Sequence, residues 1–422
     1  MHGHNAAMQR QEFPRVLAAQ SVSNFGTMLS RLVTPWLATL SLQATPLQMA
    51  ALLIADVVAS AFGSLWLGGV IDRRGKRAVM LLVDGLRCAL LAALALAAWA
   101  GVVTLPLLVL AAAASGLLTV AFELARSAWM AQRVAEVDLP RRNAQLSVAG
   151  SLSETAAFAI GGWLYQGLGA ALALALDALS YAVSALCLRG VAEVSAAAPE
   201  PAHPTPPRSA WQALRADVAA GLQAIAARPL LRALVGVEVL LALSMALTGT
   251  SYMIYVSRDL ALPTGPLGMI AALGALGAVA GASLAPRLGR VLGPGWTMTL
   301  GLAAFAVGAA CIPVAQGLGW ATVAWLVAHQ IVGDAGHTLH DVHDRTLRQT
   351  AVPSVLLARV DAGIRSAGQL ATLAGAVLGG LLGSATDARA VLWLAAATAA
   401  LAAVLAAWRL STYQTGKAGN PE

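Results

Sequence analysis

Apolar positions dominate this chain in runs of about twenty residues, punctuated by short polar stretches. A helix needs about 20 mainly apolar residues to cross a hydrocarbon layer. The runs supply twelve such windows: 15–40, 47–71, 79–101, 103–126, 143–167, 170–190, 229–257, 265–288, 294–314, 319–345, 355–383 and 388–410. Long Ala, Leu and Gly tracts without period-2 alternation suit close-packed helices, not the strands of an outer-membrane barrel. The pattern predicts an all-α, polytopic membrane protein with twelve transmembrane helices.

Composition agrees, with 58% hydrophobic and only 11% charged residues. The first 14 residues, MHGHNAAMQRQEFP, carry no apolar core ahead of a cleavage site, so the first window is expected to stay in the mature chain. A net charge of +7 would suit nucleic acid, but its placement points to a bilayer partner instead. The loops and ends on the amino-terminal side hold nearly all the Lys and Arg, while the opposite loops hold only Arg258 and Arg389. That is the positive-inside asymmetry, and it predicts cytoplasmic termini and an even number of spans. Cys88, Cys187 and Cys311 lie in apolar windows without CxxC spacing and read as core thiols, neither disulfides nor metal ligands.

Between the sixth and seventh windows runs VSAAAPEPAHPTPPRSAW, whose five prolines favour an extended linker. The expected organisation is a cytoplasmic amino terminus (1–14), a six-helix bundle (15–190), a cytoplasmic linker (191–228), a second bundle (229–411) and a tail (412–422). Weak internal similarity favours duplication. GSLWLGGVIDRRGKR after span 2 has a degraded counterpart in GAVAGASLAPRLGR after span 8, and AFAIGG at 157–162 resembles GAVLGG at 375–380.

The stretch GGVIDRRGKR places five charges between two apolar windows. An orientation anchor accounts for its basic residues but not for Asp72. The order of Gly68, Asp72, Arg73, Gly75, Lys76 and Arg77 resembles the hallmark loop of the major facilitator superfamily. SVSNFGTMLSRLVTPW, FELARSAW leading into LPRRNAQLS, LDALSYAVSALCL and TLRQTAVPSVLLARV resemble its bacterial efflux branch, which includes the enterobactin exporters. The resemblance implies a bacterial inner-membrane exporter of siderophores, antibiotics or related amphipathic molecules. It also implies that the loop is a gating latch, with Asp72 meeting the start of span 11 near Leu357 to Asp361 and Arg126 as its charge partner. Two departures stand out: Ala285 and Pro286 replace the Asp and Arg of the second copy, and 157–162 lacks the Gly-Pro of the family's antiporter motif.

Ionisable residues deep in a span cost at least about 2.5 kcal/mol on insertion scales, so each is a functional candidate. Arg31 and Asp56 fall at matched depth and are expected either to pair or to bind substrate or protons. Glu154, Glu238 and Asp334 lie two to three turns from the cytoplasmic end and are expected to carry protons, or else to hydrogen-bond small residues. Asp177 reads as structural, and Glu123 with Arg126 as a local ion pair. In HQIVGDAGHTLHDVHD, Asp334, His337, His340 or Asp341, and Asp344 share a helical stripe. It suits a proton relay centred on Asp334 and His337, or a path for a divalent cation, unless His340, His343 and Asp344 already reach the wet boundary.

No GxxxxGK[ST], HExxH or GxSxG occurs, which leaves neither an ATP-driven pump nor a common hydrolase signature in this chain. The expectation is a monomeric, proton-coupled secondary transporter without a cofactor, resident metal or nucleic-acid partner. A divalent-cation exporter, a membrane-embedded enzyme and a channel are the alternatives.

Overall fold

A computed structural model describes residues 2–193, 219, 221, 223–317 and 319–411, so most of the Pro-rich linker and the tail beyond 411 lie outside the described residues. Every extended element among them is a helix: α1 (His2–Trp36), α2 (Pro46–Asp72), α3 (Lys76–Trp99), α4 (Leu105–Arg133), α5 (Leu139–Arg189), α6 (Pro229–Ile254), α7 (Thr264–Ala272), α8 (Gly274–Leu292), α9 (Pro294–Val314), α10 (Trp320–Ala351), α11 (Ser354–Ala385) and α12 (Ala388–Leu410).

Boundaries follow local chemistry. Thr45 and Gln48 form a reciprocal capping box ahead of α2, with Gln48 N–H donating to the Thr45 hydroxyl oxygen (3.3 Å) and Thr45 N–H to the Gln48 amide oxygen (2.9 Å). Proline opens α6 and α9 where no amide donor is needed, and the Asp387 carboxylate accepts from Ala390 N–H at the start of α12.

The twelve expected windows resolve into nine segments long and apolar enough to cross a membrane among the described residues. The polar side chains of α1 and α10 keep those two helices out of that set, and the fifth and sixth windows run together in α5. They remain distinct arms, because Gly169 breaks the helix with φ +77°, a left-handed value that favours glycine.

Two compact units emerge. The first comprises 1–44, 51–201 and 262–272 and the second 45–50, 202–261 and 273–422. In the first, Phe13 and Val16 of α1, Met80 and Val83 of α3, Phe122 and Trp129 of α4 and Leu188 of α5 form the core. In the second, Leu231 and Leu234 of α6 meet Met298 and Leu302 of α9, Val360 and Ile364 of α11, and Ala402 and Ala406 of α12. Glycines let α10 sit close to both neighbours: a Cβ on Gly277 or Gly281 of α8 would collide with the carbonyls of Ile331 or Ala335, and one on Gly301 of α9 would lie 2.7 Å from the Gly336 carbonyl.

One irregularity occurs twice. α1 runs into a π turn at Leu37–Ser41 followed by left-handed Gln43, and α6 into a π turn at Tyr255–Asp259 followed by left-handed Ala261, both 218 residues on. α2 and α7 begin at Pro46 and Thr264, and α3 and α9 at Lys76 and Pro294, again 218 residues apart.

Candidate functional site

In the first unit the hallmark residues span the turn from α2 to α3. Lys76 is almost fully buried, and its ammonium donates to the Ile71 carbonyl at 2.8 Å, serving the open end of α2. Arg77 reaches the end of α5, donating through Nε to the Leu188 carbonyl (3.0 Å) and through Nη2 to that of Arg189 (2.7 Å). In exchange the Glu193 carboxylate accepts from the backbone N–H groups of Arg77 (3.1 Å) and Ala78 (3.0 Å), the open donors of the first turn of α3. A Cβ on Gly75 would lie 2.6 Å from Glu193 Cδ, so the motif glycine makes room for that carboxylate. Arg73 is exposed and Gly68 has open space around it. The side chain of Asp72 lies outside the described residues, and with it the expected latch.

The same end of the unit is tied elsewhere. Arg133 forks onto Glu12 at 2.7 and 2.8 Å, Ala192 N–H donates to Glu12 at 3.3 Å, and Arg15 donates to the Gly190 carbonyl. Arg126 is paired with Glu123, one turn earlier on α4.

The other expected residues of this unit are placed differently. Arg31 and Asp56 form no ion pair: Arg31 is exposed, whereas Asp56 sits against α4, its Oδ1 only 2.6 Å from where a Cβ of Gly116 would stand. Matched depth brings them only within electrostatic reach. Glu154 is exposed on α5. Asp177, expected to be structural, accepts hydrogen bonds from Ser30 of α1 and Ser180 of its own helix.

In the second unit the ionisable residues gather where α6 begins, α10 ends and α11 begins. A cavity of about 470 Å³ is lined by three carboxylates, Glu238, Asp341 and Asp361, and three guanidinium groups, Arg345, Arg348 and Arg365. Arg348 is the hub. It pairs with Asp344 one turn earlier on α10 and with Asp361 of α11 at 3.2 Å, and its charge and that of Asp341 both act on Glu238. Glu238 stands nine residues into α6, roughly 13 Å from its start at ~1.5 Å per residue. A Cβ on Gly368 of α11 would lie 2.6 Å from its Oε1, so that glycine leaves the carboxylate its place.

The α10 stripe divides. Asp334 lies over Gly274 of α8 and acts on Tyr252, while the His337 ring packs on Phe305 with centroids 5.8 Å apart and answers to the charges of Asp341 and Arg345. The expected Asp334–His337 relay is therefore split between two environments, because helical spacing puts the residues on one stripe while the neighbouring helices give each its own partners. His340, His343 and Asp344 are buried, at 4%, 6% and 5% exposure. Glycines of α8 and α9 let those helices close over them: a Cβ on Gly289 would lie 2.6 Å from His343 Nε2, and one on Gly301 2.8 Å from the His340 backbone nitrogen. His343 Nδ1 is bonded to the Leu339 carbonyl at 2.9 Å. No group of three or more His, Cys, Asp or Glu side chains arranged to hold a metal ion occurs among the described residues.

Sequence reasoning missed Glu193, which follows the last apolar residues of α5 where only linker was expected and carries no periodic signal. It also missed Arg348 as a hub, although the four-residue step from Asp344 is a readable ion-pair spacing.

The sequence profile of the Major Facilitator Superfamily matches residues 16–360. No curated protein sequence matches the chain. Among solved structures the chain is similar to a bacterial metal transporter, at 18% identity over 95% of this chain and 98% of that one, TM-score 0.71. It is similar to a bacterial homologue of the iron transporter ferroportin in an inward-facing state, at 18% identity over 96% and 99%, TM-score 0.73. It is also similar to the nucleoside transporter NupG, at 14% identity over 96% and 100%, TM-score 0.72. At these identities the likeness is one of fold, and it extends over proteins with chemically unlike cargoes.

Proposed function

The chain belongs to the Major Facilitator Superfamily, and from that premise we propose that it is a proton-driven secondary transporter exporting small amphipathic organic molecules by alternating access. It is a membrane transporter rather than an enzyme. In this reading twelve spans form two six-helix repeats in the bacterial inner membrane, with both termini cytoplasmic and the chain acting as a monomer. The recurrence of element starts and π turns at one offset supports the repeats. Siderophores and antibiotics are the proposed cargo class, on the resemblance to the efflux branch.

The observation that carries proton coupling is the Glu238 cavity. A carboxylate held among fixed positive and negative groups, well inside its helix, gains or loses a proton with a change in the balance of the whole cluster. Arg348 then has three carboxylates within its influence, Asp344, Asp361 and Glu238, and protonation of Glu238 leaves it to the other two. Asp334 is the second candidate carrier.

The test is efflux of siderophores and amphipathic antibiotics from proteoliposomes under an imposed pH gradient. Glu238→Gln is expected to abolish gradient-driven accumulation while leaving downhill exchange. Unchanged accumulation against a gradient in Glu238→Gln excludes this carboxylate, and the same result in Asp334→Asn excludes the second. Flux that follows added divalent metal and ignores the proton gradient replaces the organic cargo with a cation.

A further inference from the structure

Away from the hallmark loop, the first unit encloses a second set of ionisable groups that transport motifs do not mark. Asp84 and Arg87 come from α3, and Asp177 and Tyr181 from the second arm of α5. Both aspartates are 0% exposed, Tyr181 4% and Arg87 5%. Ser184 donates to Asp84 Oδ2 at 2.6 Å, Ser180 donates to Asp177 Oδ1 at 3.2 Å, and Ser30 of α1 donates to Asp177 Oδ2. Tyr181 shares a hydrogen bond with Thr27 of α1 at 2.8 Å. The Arg87 guanidinium stands over two rings, 5.1 Å from the centroid of Tyr181 and 5.4 Å from that of Phe122 on α4. The charge of Arg87 acts on Asp84, Asp177 and Tyr181, and both aspartates act on Tyr181.

Two acids face one base. If both ionised, the enclosure would hold an uncompensated negative charge inside apolar packing, the costliest state available to it. A second observation points to what balances it: Asp84 Oδ1 is sealed from solvent and has no hydrogen-bond partner. An ionised carboxylate leaves that oxygen as a charged acceptor that nothing serves, whereas a protonated carboxyl removes the charge. We propose that Asp84 and Asp177 hold one proton between them, so that this cluster is a buried proton-binding site of the amino-terminal unit, with Arg87 compensating the remaining charge. Because Asp177 is bonded through hydroxyls to α1 and Asp84 to α5, gain or loss of that proton changes the ties among three helices. The assignment does not depend on proton-driven export.

The experiment is infrared spectroscopy of the full chain in bilayers, reading the carbonyl band of protonated carboxylic acids at neutral pH. Wild type is expected to show a band equivalent to one carboxyl that is lost in both Asp84→Asn and Asp177→Asn, since either variant leaves a single acid balanced by Arg87. Arg87→Leu is expected to raise the contribution of the pair to two carboxyls, and Arg87→Lys to keep it at one. A band unchanged in both Asn variants, or an Arg87→Leu protein still showing one, overturns the proposal; if Arg87→Leu does not insert, the Asn variants decide. Glu238→Gln leaves this pair's band in place, so failure here is distinguishable from failure of the transport reading.

Discussion

Glu193 and Arg77 each serve the backbone of the helix the other belongs to or follows. A carboxylate at the first turn of a helix satisfies open N–H groups and opposes the positive end of the dipole, and a guanidinium does the converse at a final turn. Glu193→Ala is expected to lower stability by about 1 kcal/mol, seen as a fall in the thermal midpoint of the detergent-solubilised protein. Gln, which retains an acceptor, should recover part of it, and a midpoint unchanged in the Ala variant would remove the capping role. At this scale the sequence was only partly legible. Lys76 and Arg77 were visible through the motif order, but their acceptors are backbone carbonyls, which every residue possesses and no pattern reveals. Arg31 and Asp56 show the opposite error: equal depth was readable, but the direction of each side chain was not.

Among the elements, α10 depends most on what its neighbours lack. Gly277 and Gly281 place α8 so close that an added Cβ would meet backbone carbonyl oxygens of α10, which have no rotamer to yield. Gly281→Val is therefore expected to cost about 1–3 kcal/mol through overpacking, read as reduced thermal stability and lower yield of folded protein. Gly85→Ala, where nothing lies within 4 Å of the added carbon, serves as the tolerated control; equal behaviour of the two would refute the close-contact reading. The helices were legible from apolar runs alone, and so was the small-residue character of GALGAVAG. The windows 15–40 and 319–345 were among the twelve, and α1 and α10 carry the polar side chains that keep them out of the strictly apolar set. The break in α5 was legible too, since the fifth and sixth windows, 143–167 and 170–190, are separated where Gly169 leaves the helix.

For the whole molecule, the hallmark loop is the feature whose role is read in transport. The proposed latch predicts that Asp72→Asn reaches the membrane at normal abundance yet transports much more slowly, because only a contact of one gating state is removed. Transport at the wild-type rate would dismiss the latch, and loss of the protein from the membrane would make the loop an orientation anchor. Family and general fold were legible from GGVIDRRGKR and the spacing of windows, since hydropathy and loop charge are properties of composition along the chain. The Glu238 cavity was not, because its residues come from α6, α10 and α11 and meet only through tertiary packing.

The paired π turns carry a statement about time. A π turn is a helix with one residue too many for its pitch, a rare feature. Here the surplus residue is followed in both places by a left-handed non-glycine residue, Gln43 and Ala261, each an uncommon conformation. Two independent insertions at the same register, each with the same backbone remedy two residues later, would be a coincidence. The economical history is that a half-length ancestor already had the defect and its repair, and that copying the gene copied both. On that account these turns are older than the divergence of the two halves.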